Sequence, residues 1–253
     1  MQKLHIKNRK FLILLCGFFL CLLDFEFVYA TPSTTYWTPC AADVQKYKKW
    51  HLTYDNYTTV GRNSPANRKQ GGDLPADYGL TYGFMGFEKL QGEIGIDVIE
   101  PTDNPVSFNG KLGVPEHSLF KESPALNIGI FNAGTKKNFT NYNILHFIGG
   151  KTLPFNLGRF HASYYIGNKK VLKDALGKKE NDGWMAGYDR FIYKDKVMFA
   201  ADYASGKNAI GGGGFGLYYF FTPDISLLTG PVWFNDRALN GRTKWTLQLD
   251  INF

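Results

Sequence analysis

The feature that most constrains this chain is an alternation of period two that recurs from about residue 49 to the last residue. Tyr78, Leu80, Tyr82 and Phe84 are separated by Gly79, Thr81 and Gly83; Val106, Phe108, Gly110, Leu112 and Val114 by Ser107, Asn109, Lys111 and Gly113. Successive side chains of a strand point to opposite faces, so each such run is a strand with one apolar and one small or polar face. Twelve runs can be marked, over 49–60, 78–88, 92–100, 106–114, 124–133, 142–151, 157–167, 183–193, 196–205, 211–222, 225–234 and 243–253. After residue 30 there is no sustained 3.6-residue apolar period, which argues against helical layers.

Each run is near the roughly 9 to 11 residues that a tilted strand needs to cross a bilayer. The links fall into two sets. Those around 89–91, 115–123, 152–156, 194–195 and 223–224 belong to one end; those around 61–77, 101–105, 134–141, 168–182, 206–210 and 236–242 belong to the other and include the longest. An even strand number with short turns at one end and long loops at the other is the asymmetry of a transmembrane antiparallel up-and-down β-barrel. The sequence predicts that all-β fold with about 12 strands, in a range of roughly 10 to 14. Pro231 lies inside one run and removes a ladder bond from a sheet without free edges, so a bulge there or a later strand start is predicted.

The first 30 residues are of another kind. Lys3, Lys7, Arg9 and Lys10 form a basic start, Phe11 to Leu23 is almost unbroken apolar chain, and Val28-Tyr29-Ala30 offers a cleavage site. That is the layout of a secretory signal peptide, and its apolar stretch is too short for a spanning helix. Three segments follow: a leader cleaved after Ala30, a segment 31–48 that lies in the periplasm or enters the barrel as a plug, and the barrel, 49–253. Loss of four basic and two acidic residues with the leader takes the formal net charge from +7 to +5. Cys16 and Cys21 go with it, leaving Cys40 without an intramolecular disulfide partner.

The chain ends on Trp245, Leu247, Leu249, Ile251 and Phe253, alternating with Thr246, Gln248, Asp250 and Asn252. This resembles the C-terminal strand of the bacterial outer-membrane β-barrel superfamily, which ends in an aromatic residue and is read by the barrel-assembly machinery. The resemblance covers about ten residues and implies the cell outer membrane of a Gram-negative bacterium, with outer-membrane lipid and lipopolysaccharide as surroundings. Aromatic residues suited to interfacial girdles, and small residues opposite the bulky face, agree with a barrel in lipid.

If the bulky face meets lipid, the lumen receives Asp55, Glu93, Asp97, Lys111, His146, Arg159, His161, Asp189, Asp202 and Asp250, as structural contacts or as groups that select a solute. His161 and Ser163 resemble the His-Ser pair of outer-membrane phospholipases and lipid A deacylases, but they would point inward with no third group to orient the imidazole. Gly211, Gly213 and Gly216 match a dinucleotide-binding spacing without the helix it needs; close packing or room for a plug accounts for them better. His51, His117 and His146 lack a Cys or His neighbour at ligand spacing, so neither metal nor cofactor is predicted. The loops of the longer set are basic, and Lys169, Lys170 and Lys173 are candidates for lipopolysaccharide phosphates. Nothing points to nucleic acid. Twelve strands enclose a narrow interior, similar in size to the monomeric oligosaccharide porins, which makes passive diffusion of small hydrophilic solutes the expected function. A non-conducting barrel for surface display or adhesion, or a lipid hydrolase using His161 and Ser163, are the alternatives.

Overall fold

The computed structural model describes residues 36–60, 76–100 and 102–253. The proposed leader, and Arg62, Arg68 and Lys69 of the first long loop, lie outside the described residues. Twelve strands follow in order: β1 (Trp50–Thr59), β2 (Ala76–Phe87), β3 (Leu90–Glu100), β4 (Val106–Val114), β5 (Ala125–Gly134), β6 (Asn141–Thr152), β7 (Arg159–Ile166), β8 (Asp182–Tyr193), β9 (Val197–Ala204), β10 (Gly212–Thr222), β11 (Ile225–Phe234) and β12 (Lys244–Asn252). Among the described residues one short helix, α1 (Arg237–Asn240), interrupts the last loop.

Every strand pairs antiparallel with its sequence neighbours, and β1 pairs with β12, so the sheet closes into a barrel. Closure runs from His51 opposite Asn252 to Thr59 opposite Lys244. A closed sheet leaves no row of unpaired backbone N–H and C=O groups at an edge. The strands, the sorting of links into a short-turn end and a long-loop end, and the placement of both barrel termini at the short-turn end agree with the alternation read above.

The two faces separate as the period-two pattern requires. On β12 the wall shows Trp245 and Leu247 outward, while Lys244, Thr246, Gln248 and Asp250 are buried inside. Leu126, Ile128, Leu145, Phe147, Leu217 and Tyr219 continue the exposed apolar wall around the barrel. Aromatic side chains mark its two margins: Tyr78, Phe108, Tyr164, Trp184 and Trp233 toward the long loops, Trp50, Phe84, Phe160, Phe221 and Phe253 toward the short turns. An exposed apolar belt of this extent is foreign to a soluble monomer.

Two local findings differ from the sequence reading or extend it. Pro231 needs neither a bulge nor a later start, because β11 keeps one register across it on β12, where it sits opposite Trp245. Toward β10 the pairing lapses between Gly214–Val232 and Leu217–Thr229 without a shift, and the Tyr36 hydroxyl donates to the Pro231 carbonyl at 3.2 Å. The longest short-end turn, 115–124, is braced against its neighbour. The Glu116 carboxylate accepts from the Thr152 amide at 3.0 Å and hydroxyl at 2.7 Å, and pairs with Lys151 at 2.9 Å.

An arginine in the middle of the outer wall tests which solvent that wall is built for. In lipid vesicles Leu247→Arg should lower barrel stability by about 2–4 kcal/mol, read from denaturant refolding curves. A loss under about 0.5 kcal/mol, the size of an ordinary surface substitution, would show that the belt does not face hydrocarbon.

Candidate functional site in the barrel lumen

The lumen is divided. One side is filled by the chain that precedes β1; the other holds a cavity of about 810 Å³.

The preceding chain enters at the short-turn end, where β2 makes room for it. The β2–β3 register shifts between Gly83 and Met85, and Tyr47 bridges Gly83. The Lys48 N–H donates to the Gly83 carbonyl at 2.8 Å, and the Gly83 N–H to that of Lys49 at 3.0 Å. A Cβ on Gly83 would collide with the Lys46 carbonyl, so this close approach needs glycine. From there the chain rises along the inner wall. The Gln45 N–H donates to Glu93 and the Ala42 N–H to His161 Nδ1 at 3.2 Å. The Lys111 ammonium donates to the carbonyls of Ala41 at 3.2 Å and Asp43 at 2.6 Å. Arg159 grips Asp43 at 2.7 Å with one arm and meets Asp189 at 2.9 Å through Nε.

Its upper anchor is Asp202 on β9. One carboxylate oxygen accepts four hydrogen bonds, from the N–H groups of Tyr36, Trp37 and Thr38 and from the Thr38 hydroxyl, at 2.7–3.0 Å. Three consecutive amides turned on one oxygen form a small anion-binding concavity. Beside it the Tyr36 ring lies in a cradle of glycines. A Cβ on Gly214 or Gly216 would strike the ring, at 2.5 Å for Gly216, and one on Gly230 would stand 2.7 Å from the hydroxyl. Burial, then the charge of Asp202, pushes the Tyr36 hydroxyl well above its usual range, so it stays protonated and donates to Pro231. Tyr36 also joins an apolar cluster with Tyr57, Met198, Tyr218, Phe220, Leu228, Val232 and Phe234, all on inner faces.

Cys40 is buried in a second cluster with Ile144, Tyr165, Met185 and Leu172, the last reaching in from the 167–181 loop. Burial first, then Asp202, outweighs the opposing charge of Lys111 and raises the Cys40 thiol well above its ordinary range. An enclosed thiol in apolar surroundings packs as a small hydrophobic group.

The cavity occupies the β1–β6 side. Its lining runs from Asn104, Asn132 and Asn240 at the long-loop end down to His51, Glu93 and Lys111, level with the segment 41–45. Glu93 pairs with Lys111 at 3.5 Å, and His51 with Asp250 at 3.3 Å. Asp55 accepts from the Thr53 hydroxyl at 2.9 Å, and Asp97 from the Asn109 amide at 2.7 Å.

All the wall residues singled out from the sequence therefore face inward, in three groups. Asp55, Asp97, Glu93, Lys111, His146 and Asp250 line the cavity; Arg159, His161 and Asp189 form one network under the segment; Asp202 stands apart as the anchor. The sequence reading missed Asp77, which lies at the start of β2 and whose neighbours read as loop, and Ser107, an unremarkable polar position on β4.

The statement that His161 has no orienting partner is corrected. Its Nε2 meets Asp189 at 3.1 Å, while Nδ1 accepts from Ala42, which fixes the tautomer. Both ring nitrogens are thus engaged. The Ser163 hydroxyl points instead to the Tyr164 carbonyl at 3.5 Å, so the pair lacks the bond that would activate a serine.

Neither family models nor curated proteins match this sequence. Solved structures do. The KdgM porin aligns with a TM-score of 0.54 at 7% identity, covering 81% of this chain and 99% of that one. The NanC porin aligns at 0.51 and 12% identity over 81% and 98%. A KdgM porin in complex with disordered oligogalacturonate gives 0.54 at 8% identity. At these identities the likeness is one of fold, and the fold is the porin-type barrel.

Asp202→Ala tests the upper anchor. Hydrogen bonds to a charged group contribute about 1.5–3 kcal/mol each, so the variant should free residues 36–48 for proteolysis while the barrel stays folded. Unchanged protection of that segment would show that its apolar packing and its contacts with Lys111 and Arg159 hold it without Asp202.

Proposed function

We propose that this chain is an outer-membrane channel of porin type for small hydrophilic solutes, driven by concentration gradients, with the segment 36–48 as a constriction on its path. The observation that carries the reading is a polar, acid-lined cavity inside a closed barrel whose outer wall is apolar. Polar residues are costly in a membrane protein unless they face water or one another, and here they surround a space large enough for a small solute. The porin likeness of the fold supports the reading by analogy. The leader 1–30 and the aromatic C-terminal strand, with Trp245, Leu247, Leu249, Ile251 and Phe253, suit export and recognition by the barrel-assembly machinery.

The solute class does not carry over from the similar structures. An oligogalacturonate is a polyanion, whereas the cavity here carries Asp55, Asp77, Asp97 and Asp250 on its wall. Like charge would repel it. The second reading, a non-conducting barrel that displays its loops, draws on the segment that fills half of the lumen. Lys169, Lys170 and Lys173 are exposed on the 167–181 loop at the long-loop end, and we assign them to lipopolysaccharide phosphates under either reading.

Planar bilayers decide between the two. The refolded chain should give small, cation-preferring currents, and deletion of residues 36–48 should raise the unit conductance severalfold. Silence from both forms would select the display barrel. Reversing the charge of Lys169, Lys170 and Lys173 together should weaken binding to lipopolysaccharide vesicles roughly tenfold, since each exposed pair contributes up to about 1 kcal/mol. Unaltered binding would remove those residues from the lipid contact.

A further inference from the structure

Most inward-facing acids of this barrel have a partner that answers their charge. Glu93 has Lys111, Asp250 has His51, Asp189 and Asp43 share Arg159, and Asp202 has its ring of amides. Asp55, Asp77 and Asp97 do not. Among the described residues none of the three has an ion pair, and the Oδ1 of Asp77 accepts no hydrogen bond.

The register sets them side by side. Asp55 on β1 is directly opposite Asp77 on β2, and Asp97 on β3 is opposite Gly79, two residues further along β2. Its carboxylate lies over that glycine, with Oδ1 3.0 Å from where a Cβ would be. Like charges directly opposed across a strand pair are destabilising, so this strip costs the barrel stability unless something positive neutralises it.

Two further groups point to a ligand independently of the acids. The Ser107 hydroxyl, on the β4 residue opposite Asp97, is 4% exposed, lines the same cavity and has no hydrogen-bond partner among the described residues. His146 Nδ1, on a side chain 2% exposed in the same lining, has none either. Buried polar atoms in native proteins are nearly always satisfied, by protein, water or ligand.

We propose that Asp55, Asp77 and Asp97, with Ser107, form a binding site for a small organic cation bearing two or more ammonium or guanidinium groups. Three carboxylates on a diagonal match several spaced positive charges better than one compact ion. No group of three or more His, Cys, Asp or Glu among the described residues is arranged to hold a metal. A cavity of about 810 Å³ is of a size that accepts a small organic molecule. The inference rests on the channel reading by naming the solute class that the vestibule would hold.

Spermidine is the probe, titrated calorimetrically into the full chain refolded in detergent. Saturable binding is expected, tenfold or more weaker in the Asp55→Asn, Asp97→Asn double variant and about threefold weaker in Ser107→Ala, with folding checked by heat-modifiable gel mobility. Glucose and trigalacturonate should not compete with it on the wild-type chain, a result that needs no variant. Equal affinity in wild type and double variant, or displacement by magnesium at lower concentration than spermidine itself, would overturn the site. Spermidine binding in a barrel that passes no current keeps the site and removes the channel; current without spermidine binding does the reverse.

Discussion

A sheet that pairs its last strand with its first has no edge, and every other property of this molecule answers to that closure. Once β12 is joined to β1, the backbone of the wall is satisfied from within, and the side chains alone decide which solvent each face can meet. The outer face is apolar nearly everywhere, with aromatic margins. The inner face must then hold whatever the outer face cannot, including charges that hydrocarbon would exclude. A narrow barrel has little room for water around such charges, so they pair across the wall or find partners in chain threaded through the lumen.

Both solutions are used, on opposite sides. From β8 to β11 the inner face is apolar around a few polar groups, and Tyr36 and Trp37 pack against it as a core would. The bond from Tyr36 to Pro231 shows how closely wall and segment are fitted. A proline that breaks the ladder leaves a carbonyl that a tyrosine from another part of the chain satisfies, over glycines that leave space for its ring. From β1 to β4 the inner face is polar and acidic, and the segment covers only its short-turn end, at Gly83, Glu93 and Lys111. The cavity is the half of the barrel for which the chain supplies no filling.

Much of this was legible beforehand because alternation is local. A strand that faces two different solvents must write them into every other residue, so Tyr78 to Phe84 and Trp245 to Phe253 announce their faces without reference to any neighbour. The inward set from Asp55 to Asp250 followed from the same parity. What the sequence hid was partnership. Nothing near Asp202 says that it holds the amides of Tyr36 to Thr38, because those groups are more than 160 residues away. The traces that did exist lay in β10 and β11, where Tyr218, Phe220, Leu228 and Val232 make the inner face apolar too. A strand apolar on both faces is covered on both faces, and here the cover is the segment before β1. The run Gly211 to Gly214 carried the same message, since small wall residues accommodate something bulky. Asp77 was lost at the margin of a long loop, where polarity reads as solvent.

The two ends of the inserted segment are held by different physics, and on the channel reading we propose this bears on how the lumen would conduct. The upper end combines four bonds to one carboxylate with an aromatic ring packed into an apolar cluster. Its release would expose that cluster to water and leave Asp202 buried without its donors, two costs that add. The lower end, residues 41–45, is held by charge-assisted contacts to Glu93, Lys111 and Arg159 and by the bond from the Ala42 N–H to His161, beside a cavity that already contains polar surface. Water or a charged solute arriving there can replace such contacts group for group, as it cannot replace apolar packing. A path along the acidic wall thus needs only the lower stretch to yield while the Tyr36 anchor stays seated. On that proposed reading the unequal filling of the lumen, more than the width of the barrel, sets where a solute would pass.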